Sequence, residues 1–271
     1  MHKQAYLIMS HKNIDHIVEY ARDNVDKNFY IHFDLKVKEY DSFENDFDNI
    51  FFIPNRVDVR WAGFSMVAAT LNLFKFALGH DIGNEYFHLM SGEDVILKND
   101  ITWDTNRIYM ECHPSIHHQY RMRYNVPHAD TKQQRSIVGK FLTQFYKNID
   151  KLVPTKNVYY FGSQWFSIRR KELEILINSI SESDLNFFRK KLCPDEHFFQ
   201  YLVKKNGLLD RISSEGNKRY IIFNPDFQRG SSPIFLEYKE LEEAHESHYW
   251  FARKVDVSIM RKFYKLYHKG E

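Results

Sequence analysis

The sequence predicts an α/β fold, a mostly parallel mixed sheet flanked by helices, and three observations predict it. Over the first 98 residues, short apolar runs alternate with stretches of helical periodicity. Each apolar run stops at a polar residue, as strands do where a sheet meets its loops. A chain of 271 residues that is 43% hydrophobic and 16% aromatic can furnish a core that covers both faces of such a sheet.

Residues 5–9, Ala-Tyr-Leu-Ile-Met, form the first strand and end at Ser10-His11. Ile14, Ile17, Val18 and Ala21 then keep helical spacing. Residues 28–33 make a second strand closed by Asp34, and residues 50–53 a third closed by Pro54-Asn55, with Arg56 just beyond. A long apolar helix over 62–78 leads to a fourth strand, 86–90, closed by Ser91-Gly92-Glu93-Asp94. Ligands of parallel sheets bind at the carboxyl ends of the strands. His11, Asp34, Arg56 and Asp94 all fall at such ends, and four together weigh more than any one, since polar residues commonly end strands.

Residues 99–153 lose this pattern and read as a polar, His- and Arg-rich insertion covering the site. His113 and His117 are four apart, but Pro114 disturbs the register and no acid or cysteine stands at a zinc spacing, so no metal centre is expected there. Order returns over 158–169, where Gly162 and Ser163 interrupt an aromatic, strand-rich segment and predict a close approach of backbone to a ligand. A helix follows from Lys171. Residues 220–223 read as a strand, 228–233 as a flexible loop and 236–245 as a helix. The chain closes on residues 250–256 and a basic helix with Arg261, Lys262, Lys265 and Lys269. No linker or repeat divides the chain, so one domain is expected, with parts at 1–98, 99–153 and 154–271.

Lys and Arg total 38 against 36 for Asp and Glu, which gives no overall basic field and argues against nucleic acid as a partner. No run of apolar residues is long enough for a signal or a span, and Cys112 and Cys193 are too few for a disulfide framework. Both features fit a soluble cytoplasmic protein. The basic terminal helix could touch anionic lipid at the inner face of a cell membrane, although such runs are more often a solvated face.

Chemistry concentrates at Leu192-Cys-Pro-Asp-Glu-His-Phe198. Proline and acids favour the first turn of a helix, so Asp195 and Glu196 are expected to open one, leaving a carboxylate beside a buried face to act as a general base. The residues alone favour the plainer role of a helix start. Arg253-Lys254, likewise, is by itself an ordinary solvated charge pair.

Several segments, in order, resemble the core-2/I-branching enzymes, the inverting glycosyltransferases that include branching N-acetylglucosaminyltransferases and peptide xylosyltransferases. They are residues 5–11, His32-Phe33-Asp34, residues 50–78 with Arg56 and Trp61, residues 86–94, Phe161-Gly162-Ser163-Gln164-Trp165, Pro194-Asp195-Glu196 and Phe251-Ala-Arg-Lys-Val-Asp256. The match spans nearly the whole chain and is weakest over 99–153. It lacks the cysteines and membrane anchor of the animal enzymes, which implies a bacterial member.

The resemblance implies a GT-A-type fold with a Rossmann-like nucleotide-binding half, moving a sugar from a UDP-sugar to an acceptor hydroxyl with inversion. GlcNAc, galactose, glucose and xylose are the candidate sugars, and a glycan or lipid-linked oligosaccharide the acceptor. It makes Glu196 the general base and Asp195 its support. It implies no obligatory metal or other cofactor, the departing diphosphate being neutralised by Lys254 with Arg229, and Arg253 as a local competitor. Asp34 would meet the uridine beside Ser10 and His11, with Arg56 and Asp94 at neighbouring strand ends. Glu111, Arg121, Arg123 and Tyr124 would face the acceptor with Gly162, Ser163, Gln164 and Trp165. Two other readings stay open: a metal-dependent nucleotide-sugar enzyme using Glu93 and Asp94, and a catalytically silent sugar-nucleotide or glycan-binding subunit.

Overall fold

The computed structural model describes residues 3–268 except 13, 39–46, 116 and 225–231. β1 (Lys3–Ser10) turns Ala5, Leu7 and Met9 toward one core and Tyr6 and Ile8 toward another. Successive side chains of a strand point to opposite faces, so a run this apolar needs cover on both. α1 (Asp15–Arg22) covers one face with Ile17, Tyr20 and Ala21. β2 (Asn28–Phe33) and β3 (Ile50–Phe52) add in parallel on one side of β1. α2 (Phe64–His80) covers the other face with Val67, Leu71, Phe74 and Ala77 and leads to β4 (Asn84–Ser91), which pairs in parallel on the far side of β1. The direction in which strands are added therefore reverses between β1 and β4. Open α/β sheets leave a crevice at that reversal, and here Ser10 and Ser91 end the two strands beside it.

After β5 (Asp94–Ile96) comes the region expected to be irregular. It holds β6 (His113–Pro114), α3 (Gln119–Arg123), a 3₁₀ turn at Lys132–Arg135 and α4 (Ile137–Leu152), a helix of 16 residues capped by Ser136, whose hydroxyl accepts from Gly139 N. β7 (Tyr160–Phe161) pairs with β6, and β8 (Ser167–Arg169) joins β4 antiparallel to complete a sheet ordered β3-β2-β1-β4-β8. The segment expected as strand over 158–169 is thus two short strands with a bend at Gln164 between them.

α5 (Arg170–Asn178) and α6 (Glu182–Phe188) follow, the latter opened by a Ser181/Asp184 capping box. Pro194–Glu196 is a 3₁₀ turn, and α7 (Phe198–Lys205) begins only after His197. Asp195 and Glu196 therefore stand before the helix rather than in its first turn. His197 causes this: its non-helical backbone, φ −133° and ψ −27°, ends the 3₁₀ turn and sets the start of α7 one residue later. β9 (Arg219–Ile221), α8 (Tyr238–Glu246), β10 (Phe251–Arg253) and α9 (Val257–Tyr267) complete the fold. β10 lies between β5 and β9 in a second sheet and sets Arg253 opposite Asp94.

The basic face expected on the last helix is partly engaged: Arg261 reaches Glu19 at 3.0 Å and Lys262 lies 4.0 Å from the centre of the Tyr238 ring. Lys269 falls outside the described residues. Among those described, no helix is long and apolar enough to cross a membrane.

Candidate active site

A cavity of about 910 Å³ opens at the carboxyl ends of β1, β2 and β4, a size ordinary for small-molecule sites. Ser10, His11, Asp34 and Ser91 reach it from the strand ends. Eight of its lining residues are Lys or Arg and six are Asp or Glu, so its field favours an anionic ligand.

One end is built on ion pairs between the two sheets. Lys254 Nζ lies 2.9 Å from Glu93 Oε2, and Lys12 Nζ lies 2.6 Å from Glu93 Oε1. Burial pushes the Glu93 carboxyl up, but its hydrogen bonds from Lys12 and Lys254 outweigh that and hold it down at about 2. Asp94 is completely buried and accepts from Ser91 N and from Arg253 Nη1 at 2.6 Å. It fixes Arg253 rather than lining the cavity, and the Arg253 guanidinium stacks 4.6 Å from the centre of the Trp165 ring.

Behind them Arg219, only 5% exposed, donates to the carbonyls of Leu89 and Phe166 at 2.9 Å each. Its Nε has no hydrogen-bond partner, and among the described residues no carboxylate pairs with it. Burial pulls this guanidinium down to about 9, still charged at neutral pH. Sequence reasoning missed it. The signal, a basic residue at the mouth of the apolar run Tyr-Ile-Ile-Phe, acquires meaning only once that run is seen to lie against the cavity.

The other end carries the carboxylates. Glu196 lines the cavity with 35% of its side chain exposed, and Arg121 Nη1 donates to its Oε2 at 2.5 Å. Among the described residues no donor reaches its other oxygen. Asp195 is buried and its Oδ1 has no partner. Burial first, then the neighbouring Glu196 charge, raise its carboxyl well above the usual range, so Asp195 is the member of the pair that holds a proton.

An acid raised on folding takes up a proton as it folds. The contribution of Asp195 to stability must therefore fall as pH rises from the ordinary carboxylate value, about 4, through neutrality, by at most about 1.4 kcal/mol per pH unit. The Tm of wild type minus that of Asp195→Asn is expected to fall as pH rises across that range, and a difference that does not change with pH would overturn the assignment. The Cys193 thiol beside it is pushed up to about 12 by burial and is no nucleophile at neutral pH.

Between the two ends, Glu111 Oε2 accepts from Ser163 N at 3.1 Å, and Ser163, Gln164 and Trp165 form one wall. Gly162 gives its N–H to the Glu196 carbonyl, and a Cβ there would stand 1.8 Å from the Glu111 carbonyl oxygen. The close approach expected at this glycine is made to protein backbone, not to a ligand. It joins the Glu111 and Glu196 segments, so Gly162 shapes the site without lining it.

Three other expectations are relocated. Arg56 donates to the carbonyls of Phe33, Asp34 and Val37 and tethers the loop after β2 without lining the cavity. Arg123 turns away to Asp150 at 2.6 Å, and Tyr124 packs on Tyr146 beside it. Arg229 lies outside the described residues. Asp34, 5% exposed, accepts from Lys36 N at 2.9 Å and Lys36 Nζ at 2.8 Å at the cavity edge. Among the described residues no group of three or more His, Cys, Asp or Glu side chains is placed to share a metal ion, His113 and His117 included.

A family model described as Core-2/I-Branching enzyme matches residues 4–248. The chain is 24% identical over 237 residues to the probable beta-1,3-galactosyl-O-glycosyl-glycoprotein beta-1,6-N-acetylglucosaminyltransferase 7 of Homo sapiens, over 80% of this chain and 54% of that protein. It is 23% identical over 293 residues to beta-1,3-galactosyl-O-glycosyl-glycoprotein beta-1,6-N-acetylglucosaminyltransferase 4 of Danio rerio, over 94% of this chain and 66% of the relative. The corresponding Mus musculus protein is 25% identical over 229 residues, covering 78% and 49%. The chain therefore spans from about half to two thirds of the length of these relatives.

Proposed function

The chain belongs to the core-2/I-branching enzyme family of glycosyltransferases, with their GT-A-like fold, and from that premise we propose that it moves a sugar from a UDP-sugar to a glycan hydroxyl by a single inverting displacement. One observation carries the reading: a carboxylate and a cation cluster line the same cavity at the reversal point of the sheet. Glu196 takes the proton of the acceptor hydroxyl as its oxygen bonds to the anomeric carbon. The bond to the diphosphate breaks on the opposite face, and Lys254, Arg253 and Arg219 meet the charge that develops there. Asp34 and His11 take the nucleoside end, and Glu111 and Arg121 the acceptor end.

The same geometry supports a metal-independent reaction. The two acids that a metal would need, Glu93 and Asp94, are each already neutralised by a protein cation. The relatives' names make GlcNAc the first donor to test, before galactose, glucose and xylose.

The test is UDP release from each UDP-sugar in the presence of acceptor glycans and excess chelator, with thermal protection by the same donors measured in parallel. Turnover that persists in chelator is expected. Protection without release of UDP would favour a silent binding subunit, and loss of turnover in chelator would return Glu93 and Asp94 to a metal.

A further inference from the structure

α4 wears its apolar side on the outside. Ile137, Phe141, Phe145 and Leu152 follow each other at helical spacing, and they are 87%, 73%, 52% and 81% exposed. Val138 and Val153 extend the stripe. Soluble surfaces scatter single apolar side chains, whereas a continuous aromatic and aliphatic stripe marks a surface that something covers. Its inward side is closed by Gly139 and by Asp150, which is buried and held by Arg123, so the helix cannot roll to hide the stripe.

Charge identifies the partner. Between residues 131 and 160 the sequence has six Lys or Arg and a single acid, Asp150, in a chain whose overall net charge is only +2. Lys140, Lys147 and Lys151 lie along one flank of the stripe by the same periodicity and are exposed. A helix with an aromatic apolar face and a lysine fringe is built to lie in a bilayer interface, its rings among the acyl chains and its lysines on anionic headgroups. A second copy of the same lysine-fringed face would bring like charges together.

We propose that α4 docks this protein on anionic membrane surfaces. The 3₁₀ turn that leads into α4 supplies Lys132, Gln134 and Arg135 to the wall of the active-site cavity. Docking through α4 therefore holds one wall of that cavity at the lipid surface. If the transfer reading stands, the acceptor it serves is a lipid-borne glycan. The docking itself does not depend on that reading.

The experiment is vesicle flotation of the full chain, without sugars, on equal parts phosphatidylcholine and phosphatidylglycerol and on phosphatidylcholine alone. Binding to the anionic vesicles that weakens with salt is expected, falling about fivefold for each of Lys140→Gln, Lys147→Gln and Lys151→Gln. Phe141→Ser with Phe145→Ser is expected to abolish flotation while Tm and donor protection stay near wild type, since both rings are exposed. Equal flotation of that variant, equal binding to neutral vesicles or no binding by the wild type would each overturn the proposal. So would a wild-type dimer in light scattering that the double variant dissociates, because the stripe would then be an interface between copies.

Discussion

Glu196→Gln is expected to lower sugar transfer by about 10²–10⁴-fold, the range of a lost general base, while UDP-sugar still protects the protein against heat. The amide keeps the size of the side chain and an oxygen for the Arg121 hydrogen bond, so the turn around Pro194 has no reason to rearrange. What it loses is the ability to carry away the acceptor proton, which only the transition state demands. The fall must then appear in kcat and kcat/KM together, with donor affinity little changed. Asp195→Asn is the control that separates the two adjacent acids. Asp195 already holds its proton, so replacing it with an amide alters no charge at neutral pH and leaves most of the activity in place. Equal losses in the two variants would transfer the role to the pair as a unit, and full activity in Glu196→Gln would remove it from the base position.

The outline of this site was legible because strand ends announce themselves. Near-continuous apolar runs that stop at Ser10, Asp34 and Ser91 are enough to place one edge of a parallel sheet, and that edge is where the cavity opens. Which side chains turn into the cavity is a different matter. Arg121 and Arg123 sit two apart on α3, and residues two apart on a helix do not share a face, so one reaches Glu196 and the other Asp150. Arg56 and Asp94 occupy strand ends as expected, yet one binds carbonyls and the other the Arg253 guanidinium, choices made by neighbours distant in sequence.

The Pro194 turn shows the same limit at closer range. Its composition suits a helix start, and a 3₁₀ turn does open at Pro194, but the non-helical backbone of His197 parts that turn from α7 and leaves Glu196 to the cavity. α4 stayed unread because its regular apolar spacing faces outward, amid lysines, in a stretch whose composition is polar. The motifs of the resemblance, by contrast, were readable as sets of residues in order, and all but Phe251–Asp256 fall within the family match over residues 4–248.

Lys254→Met is expected to cost about 10²–10³-fold in kcat, comparable to removing one preorganised donor from an oxyanion site. The unbranched thioether fills the space of the lysine stem, while the charge goes and with it the ammonium's contact with the Phe235 ring. In the free protein Lys254 is paired with Glu93, which Lys12 also holds, and Glu93 keeps its second cation when Lys254 is lost. The fold should therefore tolerate the change, with Tm falling by little. Chemistry should not, because the charge that builds on the departing diphosphate would face one cation fewer in a cavity where Arg253 is tied to Asp94 and Arg219 is anchored on carbonyls. Glu93→Gln gives the opposite reading of the same pair: freed of its partner, Lys254 binds diphosphate more tightly, and UDP affinity rises. Were Glu93 a metal ligand instead, Glu93→Gln would abolish turnover and added divalent ions would restore part of it, while Lys254→Met would leave kcat nearly intact. Measuring kcat and UDP affinity for both variants, with and without chelator, therefore decides between a lysine and a metal as the group that receives the leaving charge.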